Sequence, residues 1–224
     1  MHDAAVGNEL DTPGTFILLM IWIAAVFLTI LVHELGHTLA YRRYGRRSHI
    51  VLYHFGGLAI SDSFGAWNAA RQRHMDAKQQ WVISAAGPGI QLLLALVVAI
   101  IALCVGVPTL VDYWLIQLLQ MDIERPVLGG SIVPYAIFDA ILWPSIFWAL
   151  LNLAPVLPLD GGNICRETLA IFGVDNPTYT AQLISVVTAG GIAFLFLMSG
   201  MMMGGIMFAA FAISNWQMMQ YRGF

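Results

Sequence analysis

Charge is what this chain has least of. Only 10% of its 224 residues are Asp, Glu, Lys or Arg, while 59% are hydrophobic and the mean hydropathy is +0.76. So few solvating side chains could not cover a water-soluble domain of this size, which places the chain in the membrane class. With Lys+Arg 10 against Asp+Glu 13, the net charge is −3 and the pI about 6.0. No basic stripe is available to neutralise phosphates, so nucleic acid is not an expected partner. Cysteine is also scarce: Cys104 lies in an apolar run and Cys165 in what reads as a polar turn. Two distant thiols make neither a disulfide framework nor a Cys-rich metal site, so any metal must be held by His and carboxylate.

The first 15 residues, MHDAAVGNELDTPGT, lack both a basic segment and a small-residue cleavage site. They read as a polar tail before an uncleaved anchor. No internal repeat, low-complexity tract or long polar linker interrupts 1–224, so one membrane-embedded domain is expected.

Apolar runs long enough to cross about 30 Å of hydrocarbon extend from Phe16 to Ala40, Val82 to Gly106 and Ile137 to Leu157. A fourth, Leu183 to Trp216, exceeds one span and is expected to fold back at Ser199-Gly200 into two short helices. Pro108 to Gln120, interrupted by Asp112 and Gln117, reads as a helix lying on the membrane surface. The expected fold is therefore an all-α integral membrane bundle of about five transmembrane helices. Arg42, Arg43, Arg46, Arg47, Arg71, Arg73 and Lys78 all fall between the first two runs, whereas the N-terminal tail has no Lys or Arg. By the positive-inside rule that loop is cytoplasmic and the N-terminus is outside.

Within the first run stands His33-Glu34-Leu35-Gly36-His37, an H-E-x-x-H pattern. On a helix, histidines four residues apart project from one face and can share one Zn²⁺, with Glu34 beside the metal. Such a zinc lowers the pKa of a bound water, and the neighbouring carboxylate accepts its proton during hydrolysis. Glu34 lies about 12 Å before Arg42 at 1.5 Å per residue, inside the membrane if the arginines mark its surface. A carboxylate at that depth costs a few kcal/mol and points to function rather than to a solvated helix end.

Two histidines leave a third protein ligand to be found, with one position open for water. Asp160, His54, Glu167 and Asp62 are candidates. Asp160 is favoured because Asn152-Leu-Ala-Pro155-Val-Leu-Pro158-Leu-Asp160-Gly161-Gly162 ends the third run on the same side as His33 and His37. Pro155 and Pro158 cannot continue a helix, and irregular backbone survives at membrane depth where protein buries it or it lines a cavity. The competing reading is an ordinary Asp-Gly surface turn.

HELGH in the first run, FGG in the following polar segment, AGP opening the second run and NLAPVLPLDGG closing the third together resemble the site-2 protease family of intramembrane zinc metalloproteases. The resemblance covers about Ile21 to Arg166. It implies one zinc held by His33, His37 and Asp160, general acid/base catalysis by Glu34, and a substrate or oxyanion contact from Asn152. The implied substrate is a membrane-spanning protein cut within the bilayer, in a prokaryotic plasma membrane, with the active site towards the cytoplasm. A regulatory partner or a second copy of the chain are further candidate partners. Archetypal members carry a transmembrane helix before the H-E-x-x-H helix, where this chain has its polar tail. Gln91 and Asn163 stand where many relatives have a smaller residue or Asn, and Arg. The rivals are a metal-ion permease, which would be expected to show paired broken helices in a repeat, and a silent binder of membrane clients, which would not need Glu34.

Between the first two runs, Ser48 to Ser63 has β-branched and aromatic residues on either side of Gly56-Gly57. A small β-hairpin on the cytoplasmic side is expected there, with the glycine pair in its turn. One strand edge is expected to receive an unwound substrate as an added strand.

Overall fold

A computed structural model describes residues 13–46, 48–53, 56–61, 75–112, 114 and 132–221, with the backbone alone described for 48–53 and 56–61. The elements in order are helix α1 (Thr15–Arg43), strands β1 (Ser48–Tyr53) and β2 (Gly56–Ser61), then helices α2 (Ala77–Val105), α3 (Val133–Asn152), α4 (Asp160–Ile171), α5 (Pro177–Met198) and α6 (Met202–Tyr221). Four of them, α1, α2, α3 and α5, are long and apolar enough to cross a membrane. Helix α6 falls short of that threshold because Ser214, Asn215, Gln217 and Gln220 dilute its apolar sequence.

Each spanning helix turns large apolar side chains outward: Phe16 is 72% exposed, Leu103 72% and Val187 69%. In water this would be a liability. In a bilayer the outward face meets lipid tails, so helices are joined instead through small side chains and a few polar contacts. Arg42 and Arg43 close α1, where cations suit the negative end of the helix dipole. Gly45 follows at φ +71°, with Arg46 N–H bonded back to Tyr41 C=O, the left-handed stop that glycine adopts without strain.

The described chain forms two compact units, residues 1–31 with 91–147, and residues 32–90 with 148–224. In the first, Ala95, Val98 and Leu142 form a buried core with Phe138, Ile141 and Val111 packed on it. A helical turn at 110–112 opens with a reciprocal cap: Thr109 N–H donates to Asp112 Oδ2 at 2.8 Å, and Asp112 N–H to Thr109 Oγ1 at 3.4 Å. This is where the surface helix was expected, and most of its remainder lies outside the described residues. Asp139 accepts the Leu110 N–H at 3.0 Å.

The second unit holds the H-E-x-x-H half of α1, the first half of α2, and everything from Trp148 onward. Its core is Val156, Ala189, Ala193 and Phe208. Helices α5 and α6 pack along each other after reversing through Ser199 and Gly200, the latter at φ +76°. The expected fold-back of the long apolar run therefore lies at the anticipated dipeptide.

Three expectations are corrected. The third span ends at Asn152 rather than Leu157, because Pro155 and Pro158 leave no N–H donors to extend it. A new helix, α4, begins at Asp160, so Asp160 stands on the first turn of a helix rather than in an unwound turn, and Cys165 is helical. The strands β1 and β2 pair antiparallel, but Gly56 and Gly57 lie within β2, opposite Tyr53 and Leu52, instead of forming the turn. Glycine adopts extended backbone as readily as turn backbone, so a Gly-Gly pair does not by itself locate the reversal.

Candidate metal centre

The helical spacing brings His33 and His37 to one side of α1, both buried. Their Nε2 atoms lie 3.1 Å apart. Asp160, from the first turn of α4, adds Oδ2 at 3.1 Å from His33 Nε2 and 3.4 Å from His37 Nε2. Three ligands on a tetrahedral zinc with bonds near 2.0–2.1 Å stand about 3.3 Å from one another. The observed triangle has that size, and among the described residues it is the one His/Cys/Asp/Glu group able to hold a metal.

Its hydrogen bonding supports the same fit. His37 Nδ1 lies 2.7 Å from the Ile83 carbonyl, which can only accept, so Nδ1 carries the proton and Nε2 presents a lone pair. That lone pair faces the Asp160 carboxylate oxygen, another acceptor, and the ring nitrogen of His33. One proton on His33 Nε2 cannot satisfy both neighbours. A cation satisfies all three at once.

Glycines set how closely these elements approach. A Cβ on Gly87 of α2 would collide with the His37 imidazole, and one on Gly36 would meet the Ala86 carbonyl. Helices α1 and α2 therefore touch at Gly36 and Gly87, which lets His37 reach the Ile83 carbonyl. Beside Asp160, a Cβ on Gly161 would strike the Leu153 and Ala154 carbonyls, and one on Gly162 the backbone of Val156 and Leu157. The two glycines after Asp160 let the 153–159 connection lie directly on the start of α4. These four glycines stand inside the motifs already singled out, yet their packing role was not read from sequence.

Glu34 is 5% exposed and next to His33 in the chain. Asn152 is the last residue of α3 and half-buried. Glu167, a candidate ligand, is instead paired with Arg166 at 2.7 Å. His54 and Asp62, also candidates, lie outside the described residues. Both cysteines are free.

Comparison with known proteins bears on the family and the fold. Over 169 residues the chain is 29% identical to a candidate zinc metalloprotease of Synechocystis sp., a match covering 74% of this chain and 36% of the relative. The chain thus spans about a third of that relative's length. Its fold is similar to that of the site-2 protease from Methanocaldococcus jannaschii, with a TM-score of 0.53, 19% sequence identity, and coverage of 91% of this chain and 87% of the other. The family model for peptidase family M50 matches residues 21–198, most of the chain. With its apolar spanning helices and its H-E-x-x-H and LDG motifs, the chain is an integral membrane protein that belongs to peptidase family M50, the site-2 protease family.

Proposed function

We propose that the protein is a zinc metalloendopeptidase that hydrolyses a peptide bond of a membrane-spanning protein within the bilayer. The observation that carries this reading is the triangle of buried His33 and His37 with half-buried Asp160, at ligand spacing, the two histidines sharing a helix with Glu34. His33 Nε2, His37 Nε2 and Asp160 Oδ2 hold one Zn²⁺ per chain. When bound, zinc supplies Lewis-acid activation of a water molecule and of the scissile carbonyl. Glu34 takes the proton of the attacking water and returns it to the leaving amide nitrogen. The Asn152 side-chain amide donates a hydrogen bond to the carbonyl oxygen as negative charge develops there.

A transmembrane helix buries its own peptide groups in hydrogen bonds, so it must unwind locally before a carbonyl can be attacked. The outer edge of β1 or β2 supplies partners for the freed backbone, taking the substrate as an added strand. In the membrane, α6 joins the four more apolar helices as a fifth span, the N-terminus is outside, and the loop carrying Arg42 to Lys78 is cytoplasmic, as in a prokaryotic plasma membrane.

The test is metal analysis of the purified protein, together with cleavage of a membrane-spanning substrate in liposomes by wild type and Glu34→Gln. About one zinc per chain in both is expected, with cleavage in the variant reduced about 10²- to 10⁴-fold, the usual contribution of a general base. Near-normal turnover by Glu34→Gln would remove Glu34 from the mechanism. Zinc flux through reconstituted wild type without proteolysis would replace the enzyme by a permease.

A further inference from the structure

The seven residues 153–159, between α3 and α4, are the irregular backbone on which Asp160 depends. Where protein covers such irregular backbone, its peptide groups need partners from the protein itself. For Leu157 both groups are satisfied by side chains from the last two helices. Its N–H donates to Ser185 Oγ of α5 at 2.9 Å. Its carbonyl accepts from Asn215 Nδ2 of α6 at 2.7 Å. Ser185 and Asn215 are both fully buried, at 0% exposure. Each is tied to its own helix as well: Ser185 Oγ donates to the Ala181 carbonyl at 2.7 Å, and Asn215 Nδ2 also donates to Phe211 at 2.8 Å.

An apolar side chain would suit these two positions better if packing were all that mattered. Asn215 Oδ1 is buried without a hydrogen-bond partner among the described residues, and an unsatisfied buried acceptor is unfavourable. A helix that keeps such a residue does so for what the other end of the amide holds, which here is Leu157. The hold is passed on. Leu159 N–H returns to Val156 C=O at 2.8 Å, Asn163 N–H bonds to Leu159 C=O at 3.2 Å, and the glycine faces of α4 rest on Val156 and Leu157. Asp160 lies three residues beyond Leu157, inside this locked turn.

We propose that Ser185 and Asn215 are positioning residues of the metal centre, gripping both peptide groups of Leu157 so that the Asp160 carboxylate meets His33 and His37 at ligand distance. This rests on the reading that those three residues bind zinc. Groups that orient metal ligands without touching the metal commonly change affinity 10- to 100-fold when removed.

The experiment uses the full chain in detergent or lipid: wild type, Asp160→Ala, Asn215→Leu, Ser185→Ala and Ser185→Thr. Zinc affinity is measured by competition with a chelator, and the visible spectrum of the Co²⁺-loaded protein reports ligand geometry. Helix content and thermal unfolding of the metal-free proteins are followed in parallel. The expected result is zinc binding weakened 10- to 100-fold in Asn215→Leu and Ser185→Ala, with altered cobalt spectra and unchanged metal-free helix content and unfolding. Ser185→Thr, which keeps the hydroxyl, stays near wild type. Affinities within twofold of wild type and unaltered spectra in both Asn215→Leu and Ser185→Ala would overturn the proposal. So would losses that only accompany lower helix content or earlier unfolding, which mark a merely structural role. Failure of the underlying reading looks different: wild type without zinc, or Asp160→Ala binding as tightly as wild type, removes the metal site and the proposal together.

Discussion

A methyl group at residue 87 would fall where the His37 imidazole lies, and this sets two effects of opposite sign against each other. Ala is the better helix former by about 0.8–1.0 kcal/mol, so on propensity alone Gly87→Ala should stabilise α2. The collision, however, moves the nitrogen that faces Asp160 and breaks the bond to the Ile83 carbonyl. Metal ligation is the more sensitive to displacement, since workable ligand distances lie within about ±0.2 Å. Gly87→Ala is therefore expected to keep its helix content and lose at least tenfold in zinc affinity, read by circular dichroism and chelator competition. An unchanged affinity would mean that His37 is not held as described. Replacing Asp160, the proposed third ligand, has a simpler expectation. Asp160→Ala should lose most of its zinc, whereas Glu167→Ala, which breaks a pair with Arg166, should keep it, both measured as metal per chain.

The connection between α3 and α4 is the element that builds the site. Two prolines end one helix, seven residues turn the chain, and Gly161 and Gly162 let the next helix start against the turn's own backbone. Adding a Cβ at Gly161 forces backbone against backbone, which no rotamer change relieves. Gly161→Ala is expected to cost about 1–3 kcal/mol, as overpacking does, and to lower zinc content with it. Thermal unfolding and metal analysis would check both. The strand pair can be tested as an element too. In an antiparallel pair, N–H groups point alternately to the partner strand and outward, so proline affects the outer edge only at every second position. If substrate adds to that edge, proline at Ile50 to Tyr53 or Leu58 to Ser61 should abolish cleavage at alternate positions of one strand while zinc stays bound. Full activity of every such variant would eliminate strand addition.

At the scale of the whole molecule, the outward apolar faces and the clustered arginines define how the chain would sit in a membrane. A cysteine near Arg46 should react with an impermeant reagent only from the cytoplasmic side, and one near Asn8 only from outside; the reverse pattern inverts the topology. The runs that can span were legible in the sequence, because length and hydropathy are one-dimensional properties that a bilayer reads directly. The i, i+4 pair His33 and His37 was legible for a similar reason, since helix geometry converts that spacing into a shared face. Asp160 was legible through its motif, and Pro155 and Pro158 marked irregular backbone before it. The helix that Asp160 begins was not, because it is short and mixed in polarity and lacks a side-chain N-cap hydrogen bond. Nor were Gly36 and Gly87 legible as contact points, or Ser185 and Asn215 as partners of Leu157, although two fully buried polar residues within an apolar run are a signal that could have prompted the question. Their roles depend on which backbone lies opposite, 28 and 58 residues away from Leu157 in sequence. Local spacing and composition therefore determined the shared face of His33 and His37 and the runs that can span the membrane. Only the tertiary structure decided the 3.1–3.4 Å triangle, because that depends on how closely glycine lets one helix approach another and on which distant side chains hold an unwound peptide in place.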